Sequence, residues 1–186
     1  NVSNYFMKNV VLLIIGFALI LGCSEKNAKK INESISSFDL KKDIYNFSEK
    51  MENGDTLILN AELSVCTSES HDSNLIFKLN DSVFIQSLIE EMSPRKLTIT
   101  LKKTQYKFLN NDTLNFENLF TSLKDNRTQP KYHKHYTFEI IHKMDTVKFY
   151  SENLIKILKH LEYYYRIKER IYPNETYFKP VKVPER

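Results

Sequence analysis

The sequence predicts an α+β domain, an antiparallel sheet with helices packed on one of its faces. Three observations predict it. Apolar residues alternate with polar ones in short runs at 57–65, 75–79, 97–101 and 136–149, the period of a half-buried strand. Other segments carry apolar residues at i, i+4, i+7 instead, the stripe of an amphipathic helix. The connections are short and rich in Asn, Asp and Ser, which favours antiparallel neighbours. With 186 residues, 41% of them hydrophobic and 12% aromatic, the chain suffices for one core.

In chain order, Leu40, Ile44, Phe47 and Met51 form the first helical stripe, with Ser37 as N-cap and Asn53-Gly54 as stop. Leu57, Leu59, Ala61, Leu63 and Val65 share one parity, so a strand follows. TSESHDSN (67–74) has turn chemistry, and Leu75, Phe77 and Leu79 resume the alternation. Asp81 is expected to cap a helix carrying Phe84, Ile85, Leu88, Ile89 and Met92, closed by Ser93-Pro94. Leu97, Ile99 and Leu101 form a strand that Tyr106 and Phe108 continue or pair with. Phe116, Leu119, Phe120 and Leu123 form a short helix, and KDNRTQPK (124–131) a loop.

Tyr136, Phe138 and Ile140 face one way on a strand, and Lys143-Met144-Asp145 turns into Val147 and Phe149. The last helix is expected from a Ser151 cap with Leu154, Leu158, Leu161 and Tyr165 inward. Arg166, Lys168 and Arg170 then suit its C-terminal dipole, and Pro173 ends it. FKLNDSVFIQSLIEEM and VKFYSENLIKILKHLE share a strand–cap–helix spacing, so the domain could be built from hairpin-plus-helix units.

Composition narrows the function classes. Three glycines leave little for a glycine-rich phosphate loop, and a net charge of +4 is too mild to indicate nucleic acid. The start of the chain says more. NVSNYF precedes Met7, the expected true start. A basic Met7-Lys8-Asn9 leads into Val10–Leu21, 12 residues without a charge. As a helix that run is about 18 Å long, short of the ~30 Å of a bilayer core, and it has the layout of a secretory signal.

The run exits through Ile20-Leu21-Gly22-Cys23, which resembles the lipobox of bacterial lipoproteins, with Ile20 and Leu21 as variants of its aliphatic and small positions. The resemblance covers residues 7–23 only. It implies diacylglyceryl transfer to the Cys23 thiol, cleavage before Cys23 and acylation of the new amino group. Palmitate-type chains would then hold the mature protein to a membrane. Ser24, where some lipoproteins carry an inner-membrane retention aspartate, implies an outer-membrane address, with the periplasmic or surface side left open. Physically, Gly22 lets a protease approach the backbone, and two or more acyl chains anchor firmly at about 0.8 kcal/mol per buried CH₂. The sequons at Asn46, Asn80, Asn111, Asn126 and Asn174 are the competing sign of a eukaryotic secreted protein. The expected organisation is a signal peptide at 1–22, lipidated Cys23 with a polar tether to 36, one α+β domain at 37–173 and a basic, aromatic tail at 174–186.

Candidate sites are few. His133, His135 and Glu139 share strand parity in YHKHYTFEI, the residue types that ligate zinc. His133 and Glu139 would lie about 20 Å apart on a straight strand, so only His133 and His135 could share an ion. Cys66, His71 and Asp72 have the types for thiol catalysis, but Glu69 and Asp72 oppose a thiolate. With Cys23 acylated, Cys66 has no disulfide partner in the chain. The tail from Tyr163 mixes Tyr, Phe, Lys and Arg, which can contact phosphates or a partner, but the favoured reading packs Tyr164 or Tyr165 inside and leaves the charges, Lys168 among them, solvated. Glu90-Glu91 and Asp125 assemble no carboxylate pair.

The expected function is that of a lipid-anchored envelope lipoprotein, a non-enzymatic binding or accessory module, inhibitor- or immunity-like. It would use no cofactor and no nucleic acid, and a protein or envelope partner would meet its sheet face or tail. The alternative is a small envelope hydrolase or metal-dependent enzyme using His133 and His135.

Overall fold

The computed structural model describes residues 36–64, 69–91, 96–107, 112–128, 136–175 and 177. They form seven antiparallel strands with helices laid on one face, the α+β class predicted. The elements are α1 (Leu40–Asp43), a 3₁₀ turn (Ile44–Asn46), α2 (Phe47–Lys50), β1 (Thr56–Glu62), β2 (Ser70–Leu79), β3 (Ser82–Glu91), β4 (Leu97–Thr100), β5 (Thr104–Gln105), α3 (Phe116–Ser122), a second 3₁₀ turn (Lys124–Arg127), β6 (Phe138–His142), β7 (Asp145–Phe149) and α4 (Leu154–Ile171). Spatial order is β4-β3-β2-β1-β6-β7, with β5 also on the outer side of β3. The signal, Cys23 and the tether lie outside the described residues. No helix among the described residues is long and apolar enough to cross a membrane.

The largest correction concerns 82–91. This part of the segment expected as a helix is strand β3, paired along its length with β2. Asn80 and Asp81, expected to cap that helix, both have positive φ (48° and 58°) and form the hairpin turn. Two successive left-handed residues match the right-handed twist of the flanking strands, and Asn and Asp tolerate that geometry best after glycine. Hairpin-plus-helix units therefore do not build the domain. FKLNDSVFIQSLIEE (77–91) is one hairpin, whereas VKFYSENLIKILKHLE is a strand and a helix.

The first helix is also not continuous. Asp39, not Ser37, caps it, its carboxylate accepting from the Lys41 amide, and Asn46 (φ −146°, ψ 42°) breaks it in two. All four residues of the expected stripe, Leu40, Ile44, Phe47 and Met51, are nevertheless buried. Ser37 instead binds the far end of this segment, its hydroxyl donating to Glu52 at 2.6 Å.

The core lies between the sheet and the helices. Leu57, Leu59 and Ala61 of β1, Ile76 of β2, Val83, Ile85 and Ile89 of β3, and Phe138 and Ile140 of β6 point into it. The helices answer with an aromatic layer. Tyr106 stacks on Phe116 at 5.6 Å between ring centroids, Phe116 meets Tyr164 at 5.8 Å, and Phe120 stacks on Phe149 at 5.7 Å. Such contacts add about 0.5–1.5 kcal/mol each beyond the area they bury.

On α4 the buried face is Leu161, Tyr164, Ile167 and Lys168, and the cap is Asn153. Leu154 and Leu158, expected inward, are exposed. The first turn of α4 runs past the edge of the core; Ile157 packs against it in part, and full burial begins at Leu161.

Candidate functional site

Two features of the sheet concentrate polar and apolar chemistry, one on each face. The inner one is a buried polar network. Asn74 of β2 lies directly opposite Ser87 of β3, and Asp72 stands two residues from Asn74 on the same face. Above them α4 presents Tyr164 and Lys168, one turn apart, and Tyr172 caps the helix C-terminally a further turn on. The four-residue spacing puts all three over the same strip of sheet.

Lys168 Nζ lies 3.0 Å from Asp72 Oδ2 and also donates to Asn74 Oδ1 and Ser87 Oγ. The Tyr164 hydroxyl donates to Asp72 Oδ2 at 2.8 Å and accepts from Asn74 Nδ2 at 2.7 Å. The Ser87 hydroxyl is 2.7 Å from Asn74 Oδ1 and 3.1 Å from the Tyr172 hydroxyl, which donates to the Ile85 carbonyl at 3.3 Å. Burial lowers the Lys168 pKa to about 8, partly countered by Asp72, and raises Tyr172 to about 12.

Lysine, tyrosine and serine grouped in this way have the makings of proton-transfer chemistry. Yet the side chains of Lys168 and Asp72 both have 0% exposure. A group sealed from solvent cannot touch a substrate, so the network's work is cohesive: three acceptors hold the ammonium and the ion pair seats α4. Here the sequence reading placed Lys168 wrongly, as a solvated cation at the helix end. The available signal was polar residues at core parity, Asp72, Asn74 and Ser87, matched to Tyr164, Lys168 and Tyr172 four apart.

A second buried acid stands nearby. Glu117 of α3 accepts from the Tyr106 hydroxyl at 2.8 Å and the Ser48 amide at 3.3 Å, and burial raises its pKa to about 7.

No helix among the described residues covers the outer face of the sheet, and strand register arranges it in rows. Ile141, Ile58 and Leu75 lie side by side across β6, β1 and β2. Phe77 and Phe84 pair across the β2–β3 hairpin, their rings stacked 5.7 Å apart with Lys103 over both. A polar ladder crosses four strands beside them. Lys148 binds Glu139 at 3.0 Å, Glu139 accepts from Asn60 at 3.1 Å, and Asn60 accepts from the Ser73 hydroxyl at 2.7 Å. At the far end Glu62 pairs with His71 at 2.9 Å, and Glu90 faces Lys96 at 4.0 Å. Ile58, Leu75 and Leu88 on this face remain 38%, 40% and 37% exposed.

The predicted sites sort as follows. His133 and His135 lie outside the described residues, as does Cys66. Glu139 is engaged by Lys148 and Asn60. His71 and Asp72, neighbours on β2, point to opposite faces, His71 exposed and Asp72 buried, so they cannot act together. Among the described residues no three His, Cys, Asp or Glu side chains group to hold a metal ion. Of the tail, Tyr177 reaches back to Ser70 at 3.2 Å, and Tyr164 packs in the core.

No family model, curated protein or solved structure matches the chain.

Two shallow clefts lie among the described residues. One, of about 530 Å³, lies between the β5 end and the C-terminal turns of α4 and includes Tyr106, Asn115 and Arg170, the last paired with Asp112. The other, of about 310 Å³, opens beside Ile58, Ile141 and Lys143 and so extends the outer face. Neither brings together a nucleophile with a base.

Proposed function

We propose that the protein is a lipid-anchored module of a bacterial cell envelope that acts by binding a protein partner through the outer face of its sheet. The anchor reading is supported by the lipobox-like Ile20-Leu21-Gly22-Cys23 and the polar stretch behind it. The binding reading is carried by one observation: the apolar row Ile141–Ile58–Leu75 and the Phe77–Phe84 pair lie on a sheet face that nothing among the described residues covers. A contiguous exposed apolar patch rimmed by charges is the usual mark of an interaction surface. The reactive side chains that the fold does assemble are sealed beneath α4, which favours binding over catalysis.

The test is site-specific photo-crosslinking from position 75 in intact envelopes. Crosslinks to protein that disappear when Ile58→Lys is added support the reading. Absence of any protein crosslink from positions 58, 75 and 84 overturns it.

A further inference from the structure

Charge is spread unevenly along the chain, and one edge of the sheet carries the excess. From Met92 to Asn111 the sequence runs 20 residues with five basic side chains, Arg95, Lys96, Lys102, Lys103 and Lys107, and no acidic one. The whole chain has a net charge of +4, so this stretch accounts for all of it and the rest is close to neutral. We infer that the β4–β5 edge docks on an anionic phospholipid surface, the one to which the proposed anchor tethers the chain. The inference rests on the anchor reading above and adds an orientation to it.

The fold turns this stretch into a basic line. β4 and β5 both pair with β3, and no strand among the described residues lies on their other side. Lys96 precedes β4, Lys102 and Lys103 join β4 to β5, and Lys107 follows β5; all four are exposed. Glu90 stands 4.0 Å from Lys96, and Asp112 is taken up by Arg170. Among the described residues no acidic side chain pairs with Lys102, Lys103 or Lys107. Lys103 lies over the Phe77 and Phe84 rings and marks where the edge meets the outer face.

Geometry selects the ligand. The partners of Leu97 and Gln105 on β3 are Glu91 and Phe84, seven residues apart, so the line runs about 23 Å. Cations spread that far cannot converge on one small anion, but they match an extended anionic plane. Leu97, next to Lys96, is 48% exposed. An apolar side chain among lysines suits the head-group zone, where lysine stems lie along apolar atoms and the ammoniums reach the phosphates. Each lysine that reaches such a surface favours docking about fivefold. Four of them orient a tethered body without retaining a free one. With this edge down the sheet stands upright, and the row of Ile58 and Leu75 stays open to a partner alongside.

The experiment couples the full chain, carrying Cys66→Ser, through the Cys23 thiol to a maleimide lipid in vesicles. The vesicles are phosphatidylcholine alone or with one third phosphatidylglycerol. A fluorescent amino acid replaces Thr98 on β4 or Thr146 on β7, at the opposite edge of the sheet, and a head-group spin-labelled lipid quenches it. Position 98 should be quenched more than position 146 on the anionic vesicles and equally on the neutral ones, and high salt should abolish the difference. Each change of Lys96, Lys102, Lys103 or Lys107 to Gln should lower the docked-to-undocked ratio about fivefold. Changing Lys41, Lys42, Lys156 and Lys159 to Gln removes as much charge from the helices and should leave the ratio nearly unchanged. Circular dichroism confirms that each variant is folded.

Equal quenching at both positions on anionic vesicles, or a preference that survives the four edge changes, overturns the inference. If the edge variant forms oligomers and vesicles show no preference, the lysines only guard an open strand edge, and the inference falls. If vesicles show no preference while photo-crosslinks from position 98 in intact envelopes reach an acidic protein, that protein and not lipid is the ligand. The tether is supplied chemically, so these results bear on the edge alone, and acylation of Cys23 is judged separately by its own labelling.

Discussion

Lys168 illustrates how one side chain can hold an element in place. Its ammonium sits over the inner sheet face with Asp72, Asn74 and Ser87 as acceptors and no solvent contact. Removing it leaves the Asp72 carboxylate as an uncompensated buried charge. Lys168→Met should therefore lower unfolding stability by about 3–5 kcal/mol, read as a fall in the urea midpoint. Adding Asp72→Asn removes that charge and should recover part of the loss. A midpoint unmoved by Lys168→Met would mean that α4 is held by its apolar contacts alone.

Glu117 makes the opposite kind of statement, through pH. Burial lifts its pKa from 4.5 to about 7 in the folded chain, so folding favours the protonated acid. Its contribution is full below about pH 4.5 and is lost as pH rises through 7, on the order of 3 kcal/mol at most. Melting temperature should fall between pH 5 and pH 8, and Glu117→Gln should flatten that fall. Parallel curves for the two proteins would show that another group sets the slope.

At the scale of elements, the β2–β3 hairpin turns on two residues whose backbone is left-handed. Asp81, at φ 58°, tolerates that conformation where a β-branched residue does not. Asp81→Val should cost about 1–2 kcal/mol and Asp81→Gly little, measured by chemical unfolding. The same turn explains what the sequence could and could not tell. Strands β1, β4, β6 and β7 were legible because only one of their faces is mainly apolar, so period two stands out. In β3, Val83, Ile85 and Ile89 face the core while Phe84 and Leu88 face outward, and apolar residues on both faces erase the alternation. Phe84, Ile85, Leu88 and Ile89 then mimic a helical stripe. The misread helix and the uncovered apolar face have one cause. The polar network was illegible for the converse reason: a lysine near a helix C-terminus normally reads as solvated, and only register shows that Asp72, Asn74 and Ser87 lie beneath it.

For the molecule as a whole, the proposed anchor and the folded body should be separable, because the described residues from Phe38 onward make a core among themselves. A net charge of +4 adds about 1 kcal/mol per basic residue only where that residue reaches an anionic surface. A single acyl chain binds reversibly, whereas two or three hold durably. Membrane attachment should therefore depend on the Cys23 thiol almost entirely. In cells fed a clickable palmitate analogue, the protein should take up label and sediment with membranes. Cys23→Ala should lose the label and move to the soluble fraction, or accumulate uncleaved. Its body should still melt with the Glu117-dependent pH profile and still compete for the outer-face contact. Retention of both label and membrane fraction by Cys23→Ala would remove the anchor from the proposal. It would leave the outer face, whose evidence is independent, to be judged on its own crosslinks.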